Sequence, residues 1–402
     1  MSSNLEVLTK QLSDVVREYV SNGAPGERKQ VLELADAIRA EVQSPDEKIR
    51  EYLSFIMEMP TVRLLMEWDV FSKIPDSPEG ISYTELAAQL DAEPRLLKRL
   101  VGLLVARGIL KQIGKDHVAH TKFSPIFADK ESLAQWFQFF FYDQGFVTHH
   151  WPSYFAKYGR KQPTDPKYSP ISFAYGKEGK SYWEILEGRS LQDFITGMDI
   201  TARTTPWKEI LPFKWFVQNK HLVPPDAPLI VDVGGSRGEA LRTIRDECQL
   251  PSERLVLQDV PRVIEQVEKA DTPELRGIRK MAHDFFQPQP MKGALAYFLK
   301  RIIHDWPDDS ARVILGHLRD AMGPESRILL YERILPDPPF THVAGSDLTM
   351  MNLASKERTQ DDWNELLSSV GLVIVKIWRS NESPDLTVIE CTKQMSSGQS
   401  CL

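Results

Sequence analysis

Apolar and polar positions change rhythm twice along this chain. From Leu5 to Ala40 the apolar residues fall at helical spacing, with Leu8, Leu12, Val15, Val16 and Tyr19 on one stripe. The segment NGAPGE breaks the run before a second helix from Arg28. Such stripes must pack on something, and two partners suit them: the rest of their own domain, or a second copy of the chain. Residues 61–125 predict a small helical module closed by a hairpin. Ser82 and Glu85 form an S-x-x-E capping box, Pro94 suits the first turn of the next helix, and ILKQIGKDHVAHT alternates around a Gly-Lys-Asp turn as a two-stranded wing would. Helix, turn, helix and wing make a winged-helix plan.

Residues 131–200 are dense in aromatics, with WFQFFFYDQGF from Trp136 and later Trp151, Tyr154, Phe155 and Trp183. Core packing accounts for at least half of them, and the others could line a pocket for a flat apolar ligand. LEGRSLQDFITGMDITART then predicts a helix with Phe194 and Met198 on one face. From Leu229 onward the rhythm alternates between short apolar runs and helical patterns: Ile230–Val233, Leu255–Leu257, ALAYFLKRI and RILLYERIL read as strands, and LVIVKIWRS with DLTVIECTK could pair as a hairpin. Alternation of this kind implies a doubly wound α/β sheet with ligands at the carboxyl ends of its strands.

The first of these strands leads into Gly234, Gly235 and Gly238, which let a ligand approach the backbone, and the next ends at Asp259, where a carboxylate can accept hydrogen bonds from ribose hydroxyls. The spacing G-G-x-x-G differs from the dinucleotide fingerprint and favours an adenosyl cofactor over NAD. There is no G-x-x-x-x-G-K-[ST] loop for a triphosphate. A tight strand-to-helix turn without a ligand is the plainer alternative.

Composition narrows the picture. The 402 residues suggest two domains, and a net charge of -7 argues against general nucleic-acid binding. A DNA-binding winged helix using Arg95, Lys98, Arg99 and Arg107 is the non-enzymatic alternative, disfavoured by the leucine- and valine-rich second helix. Cys248, Cys391 and Cys401 are too scattered for a disulfide framework or zinc cluster, and adjacent His149 and His150 lack further ligands at metal spacing. With no signal-peptide core, no bilayer-length apolar run and no prenylation box, the expected setting is the cytoplasm, away from membranes.

Polar residues gather at strand ends in the second half: Asp284, Lys300, His304 and Glu332, with Glu357 in the SKERT segment. A histidine flanked by carboxylates suits a general base, because its pKa of ~6.5 leaves it mostly neutral and the acids stabilise the imidazolium that forms. The alternative is a structural histidine at a helix entrance, with Asp305, Asp308 and Asp309 serving the helix N-terminus.

In order and spacing, VDVGGSRG, LQDVPRVIEQ, HDFF, FLKRIIHDWPDD, LYERILP and SKERTQDDWNELLSSVGL resemble the small-molecule O-methyltransferases that use S-adenosylmethionine, the caffeic-acid and flavonoid type and their fungal secondary-metabolite relatives. The resemblance spans roughly residues 50–392. It implies a Rossmann-like methyltransferase domain behind a mostly helical winged-helix dimerisation domain, hence a homodimer. The expected division is 1–125 for the dimerisation domain, 126–205 for an aromatic-rich pocket region, 206–393 for the catalytic domain and 394–402 for a flexible tail.

By the same resemblance Asp232, Gly234 and Gly235 form the cofactor loop, Asp259 holds the ribose, Asp284 and Phe285 flank the adenine, and Lys300 meets the cofactor near its ribose and sulfonium end. His304 becomes the base, Glu332 and Glu357 brace its ring, and Met198, Met351 and Asn352 become contacts for a small aromatic substrate, with no metal required. Ser236 and Arg237 depart from the residues common in the family's loop. Some fungal relatives keep the fold and cofactor but catalyse pericyclic reactions, in some cases with the base replaced. The presence of His304, Glu332 and Glu357 favours methyl transfer.

Overall fold

The computed structural model describes residues 4–23, 25–130, 133–186, 194, 196–198, 200, 207–379 and 385–394. It divides into two compact units, residues 1–142 with 192–201 and residues 143–191 with 202–402. The aromatic-rich stretch is thus shared between the two. Most of the helix expected over LEGRSLQDFITGMDITART, and the tail with Cys401, lie outside the described residues.

In the first unit the helices Asn4–Asn22 and Pro25–Val42 form a hairpin, with Asn4 donating to Glu41 across its open end at 3.1 Å. The expected stripe from Leu8 to Tyr19 is half-buried in that pair. A third helix, Pro45–Glu67, starts at a capping box of Ser44 and Glu47. On it Ile49, Tyr52, Leu53, Ile56 and Met57 stay exposed at helical spacing. The box of Ser82 and Glu85 opens the helix Tyr83–Gln89, and Pro94 begins Pro94–Ala106, whose Leu97, Val101 and Leu104 are wholly buried. The expected hairpin forms from β2 (Leu110–Ile113) and β3 (His117–His120), and a two-residue strand, β1 (Ile81–Ser82), pairs with β3 as well. Lys98 is spent on Asp116 at 3.1 Å, and Arg107 on Glu58 at 2.6 Å.

The second unit is Rossmann-like. Its seven-stranded sheet comprises β4 (Ile230–Val233), β5 (Leu255–Asp259), β6 (Arg279–Ala282), β7 (Ala296–Lys300), β8 (Arg327–Arg333), β9 (Leu372–Arg379) and β10 (Leu386–Lys393), in the order β6-β5-β4-β7-β8-β10-β9. The strands β4 to β8 are mutually parallel, and β10 runs antiparallel to β8 and β9, so the predicted hairpin is present. Strand period two splits the core between the faces. Ile230, Leu257, Phe298 and Leu329 pack with the helix Glu239–Cys248 on one side; Val231, Tyr297, Leu299, Ile328 and Leu330 pack with the helices Asp308–Ala321 and Gln360–Ser369 on the other. From β4 the chain proceeds outward through β5 and β6, then returns to place β7 on β4's other side. That reversal opens a crevice at the carboxyl ends of β4 and β7, where ligands of such sheets bind. No described helix is long and apolar enough to cross a membrane.

Leu315 is wholly buried beneath the sheet. Leu315→Ala is expected to cost about 2–5 kcal/mol, read as a lower urea midpoint with little change in slope.

Candidate active site

The glycine loop follows from steric limits at the end of β4. Gly234 has φ 72°, and a Cβ there would lie 2.7 Å from Ile302 Cδ1. At Gly235 a Cβ would come within 2.5 Å of both Asp232 Oδ2 and Leu257 Cδ1. The Ser236 N–H donates to Asp259 Oδ2 and the Val260 N–H to Asp259 Oδ1, each at 2.8 Å, so Asp259 ties the loop to the end of β5.

Asp232 is 1 % exposed, and its Oδ2 has no hydrogen-bond partner among the described residues. Burial, with a smaller contribution from Asp259, pushes its carboxyl up to about 7 against the opposing pull of Lys300. The Lys300 ammonium lies 5.1 Å from the ring centre of Trp207. Asp284 is exposed and accepts the Phe286 N–H at 3.0 Å, while Phe285 stands edge-on to Trp306, with ring centres 5.8 Å apart. Asp232, the glycines, Asp259, Phe285 and Lys300 therefore lie at or just beyond the carboxyl ends of β4 to β7.

His304 sits beyond β7 on the turn Ile303–Asp305 and is only 6 % exposed. Its Nδ1 faces Glu357 Oε1 at 3.4 Å, and its Nε2 lies 3.4 Å from Asp305 Oδ1. Burial and Arg301 both oppose protonation, yet Asp305, Glu332 and Glu357 together lift the imidazole above its ordinary range. Asp305 in turn is pushed up to about 6, chiefly by burial. Burial also works against the Glu357 carboxylate, but Arg301 and His304 hold it well below the usual range.

One expected role is corrected by this geometry. Glu357 meets the ring of His304, whereas Glu332 reaches the main chain: its Oε1 accepts the N–H groups of Ile302 and Ile303 at 3.0 and 2.7 Å. A carboxylate at the end of β8 points at the free amides of the adjacent turn, and satisfying them takes precedence over bracing a side chain. From the opposite side, fully buried Arg358 donates to the carbonyls of Ile303 and Trp306 at 3.0 and 2.8 Å and pairs with Asp308, while the Ser355 hydroxyl donates to the His304 carbonyl at 2.6 Å. Asp308 and Asp309 also occupy the first turn of the helix that follows, as the structural alternative required.

Asn352 is buried, accepting from Trp151 Nε1 at 2.7 Å and donating to Gln144 Oε1 at 2.6 Å. Gln144 donates onward to Asp143 at 2.8 Å, and Asp143 also receives the hydroxyl of Tyr175 at 2.8 Å. Met351 is half-buried, and Met198 belongs to the other unit. No sequence signal marks Arg301, Ser355, Arg358 or Asp143 for a role in the site. Arg301 and Arg358 do lie inside quoted motifs, each beside a residue with an assigned role.

An O-methyltransferase domain model matches residues 222–373. Methyltransferase cfoD of Aspergillus candidus is 36 % identical over 405 residues, covering 98 % of this chain and 99 % of that protein. Among solved structures, LepI in complex with SAM has a TM-score of 0.84 at 23 % identity, covering 98 % of this chain and 100 % of its own. A structure described as a pericyclic reaction enzyme has the same score and identity, covering 97 % and 100 %. The likeness to these two structures is one of fold.

A testable consequence concerns Asp232. An acid whose pKa rises on folding, here from 3.8 to about 7, keeps a proton that the unfolded chain has released. Folding therefore takes up a proton between those values, and stability falls as pH rises through them. In the ligand-free protein Asp232→Asn should flatten this decline, with a gain above pH 7 of at most roughly 4 kcal/mol, measured by urea unfolding across pH.

Proposed function

Because the chain belongs to the S-adenosylmethionine-dependent O-methyltransferase family, we propose that it methylates a phenolic or related aromatic hydroxyl of a secondary metabolite, with His304 as general base. The observation that carries this reading is the buried imidazole beyond β7 with Nδ1 3.4 Å from an ionised Glu357. With the Nδ1 proton turned to Glu357, the Nε2 lone pair, 3.4 Å from Asp305 Oδ1, is the one left to take the proton of the acceptor hydroxyl as its oxygen becomes nucleophilic.

The crevice suits an adenosyl cofactor because Asp232 offers a buried oxygen without a hydrogen-bond partner among the described residues. Asp259 is the residue to hold ribose hydroxyls, Asp284 and Phe285 to flank the adenine, and Lys300 to approach the ribose end. When bound, S-adenosylmethionine supplies a methyl group already activated by the positive charge on its sulfur. The chain's own contribution is then to orient the acceptor, exclude water and remove one proton, and no step calls for a metal. Met351 and Asn352 are the acceptor contacts in this reading.

The clamps on the turn grip its main chain, so His304→Ala should leave the fold and cofactor affinity intact. With labelled S-adenosylmethionine and a panel of phenolic polyketides, that variant is expected to lose roughly 10²–10⁴ of the wild-type rate. Wild-type transfer should yield one S-adenosylhomocysteine per methylated product. Substrate conversion without any S-adenosylhomocysteine would replace this reading with pericyclic catalysis, and transfer unaffected by the substitution would remove the role of His304.

The same reading makes the protein a homodimer joined through its first unit. Its support is the exposed stripe of Ile49, Tyr52, Leu53, Ile56 and Met57, an apolar face that a soluble helix rarely leaves uncovered. The double substitution Leu53→Asp, Ile56→Asp is expected to convert a dimer to a monomer in sedimentation velocity. A wild-type monomer at micromolar concentration would exclude the dimer.

A further inference from the structure

Beside the base lies a cation to which the reaction scheme assigns no role. Arg301 directly follows β7 with φ 57°, a left-handed conformation that a residue with a side chain rarely adopts, and its N–H is fixed to the Tyr331 carbonyl at 2.9 Å. This backbone turns the guanidinium toward the carboxylates around His304. Nη2 donates at 3.0 Å to Glu357 Oε1, the same oxygen that faces His304 Nδ1, and Nη1 lies 4.0 Å from Glu332 Oε2. The planar fork thus spans the acid that meets the ring and the acid that holds the turn, a reach the single ammonium of lysine lacks.

We propose that Arg301 is a positioning residue for methyl transfer: by bridging Glu357 and Glu332 it fixes the His304 ring with Nδ1 toward Glu357, and its charge sets the pH above which Nε2 can accept a proton. The inference rests on the base role of His304 given above. Charged groups face the ring from every side. Asp305 comes from its own turn, Glu332 from β8 and Glu357 from the segment after the helix Thr341–Asn352. Arg333, at the end of β8, lies 3.8 Å from Glu357 but is paired with Asp385, and Arg358 is committed to Asp308 and to main-chain carbonyls. Tyr182 is close enough to Asp305 for the two to interact electrostatically. Without Arg301 burial alone would oppose the imidazolium that the carboxylates favour, and Glu357 Oε1 would keep only the Ser346 hydroxyl, at 2.8 Å, beside the ring.

The test compares Arg301→Met and Arg301→Lys with wild type in two readouts: the acid limb of the kcat–pH profile, and the NMR titration of the His304 ring, identified by its absence in His304→Ala. For Arg301→Met the limb and the ring midpoint should both rise by about one pH unit, with KM for the cofactor changed less than about twofold. Arg301→Lys keeps the charge but not the bridge, so its limb should stay near wild type while kcat falls roughly tenfold. An unchanged midpoint in folded Arg301→Met overturns the proposal. Should that variant fail to fold, wild-type kcat in Arg301→Lys overturns it instead. A shifted ring midpoint in a protein that methylates nothing would uphold the coupling of Arg301 to His304 and refute the function proposed for that histidine.

Discussion

Three carboxylates held around one imidazole out of water form the constraint on which this site depends. Asp305, Glu332 and Glu357 repel one another, and burial raises the cost of each charge. The arrangement holds because two of the acids are answered by donors: the Arg301 guanidinium and the Ser346 hydroxyl at Glu357, and the amides of Ile302 and Ile303 at Glu332. Asp305 lacks comparable support, and burial drives it toward protonation.

The sheet makes this balance possible by order of strands. β7 delivers Arg301 and His304, its neighbour β8 delivers Glu332 and Arg333, and the chain after the helix Thr341–Asn352 brings Glu357 and Arg358 back over both. The adjoining half of the crevice, between β4 and β5, works on a different principle. There Gly234 and Gly235 let the backbone pack against Ile302, Asp232 and Leu257 more closely than a side chain would allow, and Asp259 organises a loop with φ above zero at Ser236. Close backbone packing governs one side of the switch point and charge compensation the other.

Most of the scaffold was legible because each signal was local. Ile230–Val233 reads as a buried strand, three glycines mark the turn, and two apolar runs after Gly371 announce a hairpin. The two-residue β1 was not legible, since Ile81–Ser82 is a strand only by virtue of pairing with β3. Nor could a motif distinguish an acid that braces a ring from one that caps a turn, and Glu332 proved to be the second kind. Arg301 falls at the end of an apolar run that reads as a strand and Arg358 in a charged stretch, and only the fold shows the carboxylates and carbonyls that each of them meets. The partners of Asn352, Gln144 and Trp151, lie some 200 residues away, beyond any periodicity argument.

The turn that carries His304 is gripped through its main chain: Glu332 takes two of its amides, while Arg358 and Ser355 take its carbonyls. Because these clamps reach only the main chain, replacing the imidazole would leave the backbone of the turn held, while Asp305 and Glu357 would lose the ring that faces them both. The conformation of the turn is thereby uncoupled from the side chain it carries, and the charge balance around that side chain is set by separate residues.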